Sequence, residues 1–129
     1  MPSFSKSSKD KLETCDYRLQ KLFNEVIKGW DCTVLEGHRS YERQRALVKD
    51  GKSKTMNSRH LSFPSAAIDV MPYPIKWDDE LGQKDFANYV YQTAIDLGIT
   101  IHWGGMWKFY DAPHWQVNGA YKENGNDLD

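Results

Sequence analysis

The stretch 66-AAIDVMP-72 determines how the rest of the chain has to be arranged, because it is the most apolar run in the sequence. Its apolar and β-branched residues end at Pro72, which predicts a short strand buried on both faces. Asp69 stands inside this run, where an unpaired carboxylate would cost several kcal/mol. We therefore expect Asp69 to pair with a basic side chain, to accept backbone hydrogen bonds or to bind a metal ion.

Helical spacing of apolar residues predicts three helices around this strand. They cover residues 8–28, 40–50 and 79–97. We expect Ser7 or Ser8 to cap the first helix and Ser40 to cap the second. Gly29, Gly51 and Gly98 are the expected helix ends.

Further short strands are predicted at 31–37, 99–103 and 114–117, and the order at the end of the chain is that of a hairpin. The polar segment 52–63 has no period and is predicted to be a loop. Three helices and about four short, mostly antiparallel strands indicate a single α+β domain.

The size and charge of the chain exclude several classes of protein. A length of 129 residues with 40% hydrophobic residues predicts one folded domain over 1–129, with a frayed tail at 122–129. The net charge of −1 offers no basic excess for nucleic acid or anionic lipid. No apolar run approaches the ~20 residues of a membrane span. The polar start MPSFSKSSKDKLETC lacks the apolar centre of a secretory signal, which predicts synthesis in the cytoplasm without a signal peptide.

Cysteine chemistry is restricted by the presence of only Cys15 and Cys32. Two thiols are too few for a disulfide framework or a cysteine-based zinc site, so we expect both to be small buried hydrophobes. Any zinc site must therefore use histidines and carboxylates.

The chain has four histidines, and each one alone is weak evidence for a metal site. His60 lies in a polar loop and His114 opens a predicted strand, whereas His38 and His102 have less favourable surroundings. Two histidines and one carboxylate, with a fourth position left for water, are the ligand set of a catalytic zinc site. Asp111 precedes His114 by three residues, and the intervening proline restrains the backbone, so a second carboxylate would lie near such a metal.

Four short motifs carry a family resemblance: SRH at 58–60, AID at 67–69, WGG at 103–105 and DAPHW at 111–115. In this order they resemble the VanY-like zinc peptidases, which comprise D-Ala-D-Ala carboxypeptidases and L-alanyl-D-glutamate endopeptidases, and most closely their phage endolysin branch. The segment 36-EGHRSYERQ-44 is similar to the part of that family that holds a functional arginine. The resemblance runs from about Val34 to Val117 and implies a Hedgehog/DD-peptidase-like fold.

The resemblance implies specific roles for the matching residues. It makes His60, Asp69 and His114 the ligands of one Zn²⁺ per chain, and it makes Asp111 the catalytic acid and base. It also implies that Arg39 steadies the substrate and the oxyanion.

The residues alone would instead pair Arg39 with one of the neighbouring acids, Glu36 or Glu42. Ser58 matches the small polar residue that supports the first ligand in the family. Trp103 and Trp115 lie among aromatic residues that we expect to be mostly core. These two are predicted to support the site from behind or to contact the substrate, and at least one aromatic residue of the group could wall a cleft.

The chain departs from the family pattern at two places. His60 and Asp69 are nine residues apart, whereas seven is usual, and the additional residues include Pro64, which predicts a longer turn before the strand. Met106 follows the double glycine, where the family often has an acid.

The resemblance implies hydrolysis of the L-alanyl-D-glutamate bond in peptidoglycan stem peptides by a phage or prophage endolysin that lyses its host. We expect a monomer that acts on the cell wall in the periplasm and depends on a holin for access, with no nucleic-acid partner and no membrane insertion. Three alternatives remain open: a D-Ala-D-Ala carboxypeptidase, a non-catalytic zinc-stabilised wall-binding module, and a metal-free domain with ordinary histidines.

Overall fold

A computed structural model describes residues 2–119, so the tail predicted at 122–129 lies outside the described residues. The chain forms helices and strands in mixed order. These are α1 (Lys6–Leu12), α2 (Tyr17–Gly29), β1 (Cys32–Glu36), α3 (Tyr41–Lys49), β2 (Ala67–Pro72), α4 (Glu80–Leu97), β3 (His102–Trp103) and β4 (His114–Gln116), with short 3-10 turns at Arg59–Leu61 and Gly104–Met106. The predicted α+β class is confirmed.

The four strands form one antiparallel sheet in the order β1-β2-β4-β3. The predicted buried strand is β2, which pairs with β1 on one side and with β4 on the other. Asp69 is the register partner of Glu36 in β1 and of His114 in β4. The acid within the apolar run therefore lies at the centre of the sheet.

Strand periodicity separates the core from the functional face of the sheet, because successive side chains point to opposite faces. Ile68 and Val70 join the main hydrophobic core together with Trp115 of β4, all at 0% exposure. Asp69 and His114 consequently point to the other face. Core residues of α2 and α4 pack on the first face, among them Leu19, Phe23, Val26, Phe86 and Val90.

The prediction of one continuous helix over 8–28 is wrong, because the structure has two separate helices there. Ser5, rather than Ser7 or Ser8, caps α1 by accepting a hydrogen bond from the Ser8 amide. Asp16 caps α2 by accepting from the Arg18 amide at 2.9 Å. The break frees the backbone around Cys15 to pair with Ser65, through Asp16 N to Ser65 O at 2.8 Å and Ser65 N to Thr14 O at 2.9 Å.

The other predicted boundaries are close to those of the structure. Ser40 caps α3, and Gly98 ends α4 in the left-handed region at φ 73°. The strand predicted at 99–103 pairs only at His102–Trp103, although Ile99 and Ile101 are buried in the core. Cys15 and Cys32 are both free and buried, as predicted. Among residues 2–119, no helix has the length and apolar character to cross a membrane.

Candidate metal centre

Three predicted ligands from three separate elements converge on one point. His60 comes from the 3-10 turn, Asp69 from the middle of β2 and His114 from the start of β4. One ligand atom from each lies within 4.8 Å of the others. His60 Nε2 is 3.2 Å from Asp69 Oδ1, and His114 Nδ1 is 3.7 Å from the same oxygen. Donors placed tetrahedrally around one metal ion at about 2.0 Å would be about 3.3 Å apart, so the 3.2 and 3.7 Å separations have the scale of a single metal site.

His60 is fixed by one hydrogen bond to its ring and another to its backbone amide. Its Nδ1 lies 2.8 Å from the carbonyl oxygen of Gly37, which can only accept a hydrogen bond. Nδ1 therefore carries the hydrogen, and the lone pair of Nε2 faces Asp69. Ser58 Oγ accepts from the His60 amide at 3.2 Å and holds the turn.

The longer spacing between His60 and Asp69 is accommodated by a turn that closes on itself. The Ala66 amide donates to the carbonyl of Arg59 at 3.2 Å and to Ser62 Oγ at 3.1 Å. The additional residues thus form a closed turn between His60 and β2, and His60 Nε2 still lies 3.2 Å from Asp69 Oδ1.

His114 presents its other ring nitrogen to the same point. Its Nε2 lies 2.8 Å from Gln116 Oε1, so Nδ1 faces Asp69. Burial lowers the pKa of His114 below its ordinary value, which favours the neutral imidazole that a metal requires. The ring of Trp107 packs beside it, with centroids 4.8 Å apart.

Asp69 is ionised by its surroundings despite its place in the sheet. Burial alone would raise the pKa of this carboxyl, but the adjoining His60 ring, the His114 ring and the guanidinium of Arg39 together lower it below its ordinary value. A carboxylate held in this way between two imidazoles is a suitable metal ligand.

Asp111 stands beside the cluster without being part of it. Its Oδ2 is 3.9 Å from His114 Nδ1, and about a third of its side chain is exposed. Burial, followed by the negative charge of Asp69, raises the pKa of Asp111 to about 6. The segment is held by Gly104, whose carbonyl accepts from the Asp111 amide at 3.1 Å. A Cβ at Gly104 would lie only 2.5 Å from the Asp111 carbonyl oxygen, which explains the glycine in the WGG motif.

Arg39 contacts two acidic side chains of the site. Its guanidinium pairs with Glu36, as the residues alone suggested, and it also lies 3.5 Å from Asp69 Oδ2. Glu42 instead lies 3.9 Å from Arg45. The Arg39 side chain is nearly buried and therefore has a fixed place beside the cluster.

Two glutamines complete the site and were missed in the sequence. Gln44, at 0% exposure, accepts from Arg39 Nη1 at 2.7 Å and donates to Ser53 Oγ and to the Thr55 carbonyl. Helical spacing places it on the same face as Leu47, and strand spacing places Gln116 on the same face as His114. Periodicity could therefore have identified both residues.

The aromatic residues near the cluster divide between the core and the cavity. Trp103 and Trp115 are core residues whose rings stack 5.7 Å apart, so direct contact of either ring with a substrate does not fit their burial. Trp115 lies behind His114 in β4. The aromatic side chains that do line the cavity are Trp77, Trp107 and Phe109.

The cluster opens into a cavity of about 670 Å³. Its lining includes His60, Asp69, His114, Asp111 and Arg39. The remaining histidines lie elsewhere: His38 is exposed and contacts the Ser62 carbonyl at 3.0 Å, and His102 is exposed in β3.

The fold and this cluster define a class of protein, the small α+β domains that can hold one metal ion between two histidines and a carboxylate at the base of a cavity. Within that class, the chain belongs to the phage L-alanyl-D-glutamate peptidase family, whose model matches residues 2–125. The family resemblance inferred from the four ordered motifs is confirmed.

Two relatives illustrate the relationship. The chain is 37% identical over 101 residues to the L-alanyl-D-glutamate peptidase of Listeria phage A118, a match that covers 77% of this chain. It spans only 34% of that phage protein. A crystal structure of the L-Ala D-Glu endopeptidase ChiX of Serratia marcescens is similar, with a TM-score of 0.77, 31% identity and 90% of each chain covered. The predicted fold is thereby confirmed.

Proposed function

We propose that this chain is a zinc-dependent peptidase that hydrolyses the L-alanyl-D-glutamate bond of peptidoglycan stem peptides, as the endolysin of a phage or prophage. The observation that carries the proposal is the convergence of His60, Asp69 and His114 to within 4.8 Å at the base of a cavity, with Asp111 beside them. Family membership and the names of both relatives support the choice of bond.

One Zn²⁺ would be held by His60 Nε2, a carboxylate oxygen of Asp69 and His114 Nδ1. Two neutral imidazoles and one carboxylate suit this ion. When bound, zinc supplies Lewis acidity and lowers the pKa of a water molecule towards ~7.

Asp111 has the position of the proton carrier. Its carboxylate lines the cavity 3.9 Å from His114 Nδ1, within reach of a water molecule at the cluster. It would take a proton from the attacking water and then deliver that proton to the leaving amine, as a general base and then a general acid.

Arg39 has the position to stabilise the developing negative charge on the scissile carbonyl oxygen. Glu36 and Gln44 hold its guanidinium before any substrate arrives, so little reorganisation is needed when the charge forms. Preorganised charge of this kind commonly contributes several kcal/mol to lowering a barrier.

The decisive experiment is to incubate the zinc-loaded protein with purified murein and to identify the new amino termini. New D-glutamate amino groups are the expected result. Release of free D-alanine would instead indicate a D-Ala-D-Ala carboxypeptidase, and binding without any release would indicate a wall-binding module. Asp111→Asn protein is the matched control, because it keeps the ligand set.

The cellular part of the proposal is a monomer that acts on the wall in the periplasm and reaches it through a lesion made by a holin. Light scattering on the purified protein tests the monomer. To test whether the protein needs a holin to reach the wall, it is expressed with and without a holin, and lysis is measured as the fall in culture turbidity. Lysis without a holin would contradict that dependence.

A further inference from the structure

The cavity has an excess of positive charge that the whole chain does not have. The chain carries a net charge of −1. Among the described residues, the basic side chains that line the cavity outnumber the acidic ones. The basic ones are Arg39, Arg43, Lys52, Lys54 and Arg59, and the acidic ones are Glu36, Asp69 and Asp111.

The acidic side chains of the cavity are already engaged. Glu36 pairs with Arg39 and lies 3.7 Å from Arg43 Nε, while Asp69 and Asp111 face the histidine cluster. Within residues 2–119, neither Lys52 nor Arg59 has an acidic group within 4.0 Å. We therefore expect these two cations to bind an anionic group of another molecule.

The backbone that carries these cations is anchored. The Lys52 amide donates to the Leu47 carbonyl at 2.8 Å, and the buried Gln44 amide binds the Thr55 carbonyl at 2.6 Å. Arg59 lies in the 3-10 turn that Ser58 caps, directly before the ligand His60. An anchored cation loses less conformational freedom when it binds an anion than a cation on a loose loop does.

The geometry points to a carboxylate subsite formed by Lys52 and Arg59, which recognises the free α-carboxylate of the D-glutamate residue. This inference rests on the proposed function. In the stem peptide, D-glutamate is joined onward through its side-chain carboxyl, so its α-carboxylate stays free on the carbon next to the scissile nitrogen. Arg59, as the neighbour of His60, is the cation suited to that carboxylate. Lys52 adds positive charge to the same cavity.

The test compares two synthetic peptides that differ only in this group, one with the D-glutamate α-carboxylate and one with the α-carboxamide. We expect zinc-loaded wild-type protein to prefer the carboxylate by roughly tenfold in kcat/KM, as two partly exposed ion pairs allow. The double variant Lys52→Glu/Arg59→Glu should lose this preference, which is measured as the ratio of its kcat/KM values on the two peptides.

The matched control is Lys9→Glu/Lys84→Glu, which makes the same change in charge at exposed positions that do not line the cavity. It should behave like the wild type. The milder variant Lys52→Gln/Arg59→Gln serves if charge reversal disturbs folding. The wild-type preference should also fall with added salt, because screening lengths shrink to about 3 Å at 1 M.

The results separate this inference from the proposed function. Equal kcat/KM on the two peptides would overturn the subsite and leave the peptidase intact. Cleavage of neither peptide would contradict the peptidase. In that case calorimetric Kd values for the same pair of peptides test the subsite, and equal values would overturn it.

Discussion

Gln116 Oε1 lies 2.8 Å from His114 Nε2 and thereby decides which nitrogen of the histidine faces the cluster. The two histidines turn different ring nitrogens toward Asp69. His60 presents Nε2 and His114 presents Nδ1. In each case a protein oxygen holds the opposite nitrogen, Gly37 O for His60 and Gln116 Oε1 for His114. Acceptors of this kind orient the ring and make it a better donor to a metal.

Gln116→Leu should weaken zinc binding by about 10–100-fold, because the His114 ring loses the acceptor that sets its tautomer. Competition with a chromophoric chelator measures the affinity. Gln116→Glu keeps an acceptor at the same place and should bind zinc at least as tightly as the wild type. Unchanged affinity in the leucine variant would show that β4 alone orients the ring.

Asp111→Asn should lower kcat by about 10²–10⁴-fold, because the amide cannot take a proton from water. Zinc content should stay at one per chain, since Asp111 lies outside the proposed ligand set. Metal analysis and turnover measured on the same preparation check both statements. Normal turnover in this variant would remove Asp111 from the mechanism.

Gln44→Leu should reduce both stability and kcat. The substitution leaves the Thr55 carbonyl without its side-chain donor and Arg39 Nη1 without its acceptor, at a cost of about 1–3 kcal/mol in the free energy of unfolding. A misplaced Arg39 should affect kcat more than KM. Urea unfolding and steady-state kinetics measure the two effects. Arg45→Leu, at an exposed position of α3, should stay within about 0.5 kcal/mol.

Removal of the metal should lower the melting temperature, because zinc binds the folded state in preference to the unfolded chain. At free zinc 1,000 times its Kd, the stabilisation is about 4 kcal/mol. Thermal melts with and without EDTA measure this difference. His60→Ala protein should melt at the same temperature under both conditions. A wild-type melt that EDTA leaves unchanged would favour a metal-free domain.

Cys15 and Cys32 should not react with a thiol reagent at pH 8 in the folded protein. Burial raises the pKa of both thiols from 9.0 to about 12, so they stay protonated and inaccessible. Labelling with an aromatic disulfide should detect no thiol in buffer and both thiols in guanidinium. Rapid labelling of the native protein would contradict the burial of these side chains.

The same pKa values predict that the free energy of unfolding falls at alkaline pH. Unfolded thiols ionise above pH 9.0, whereas the folded ones stay neutral up to about pH 12. The contribution of these thiols to stability is therefore fully present below pH 9 and is lost as the pH rises towards 12. Urea midpoints measured across this range should fall for the wild type and fall less for Cys15→Ala/Cys32→Ala protein.

The parts of the fold that were predicted are those that local patterns determine. The apolar run around Asp69 indicated β2, and Ser40 and Gly98 marked helix ends through their own backbone preferences. The break before Tyr17 was missed because apolar residues continue at helical spacing across it. Its cause is the pairing of Cys15 with Ser65, fifty residues further along the chain, which no local pattern contains.

The site was predicted in the same uneven way. Asp69 was conspicuous because a carboxylate in an apolar strand requires a partner, and the ordered motifs then supplied His60 and His114. Gln44 was overlooked because a polar residue in a polar helix attracts no notice, although it is the buried residue of α3. Trp115 was considered for substrate contact because it adjoins His114 in the sequence, but alternation along β4 places the two side chains on opposite faces of the sheet.

The contact of Trp107 with His114 gives the protein an optical reporter at the candidate metal centre. The indole is partly open to water and lies 4.8 Å from the imidazole, while Trp103 and Trp115 are sealed in the interior. Indole emission shifts with the polarity around the ring, so filling of the cavity would change the emission of Trp107 and of Trp77, which also lines the cavity, and would leave that of Trp103 and Trp115 unchanged. Ligand occupancy could then be followed in real time without attaching a dye.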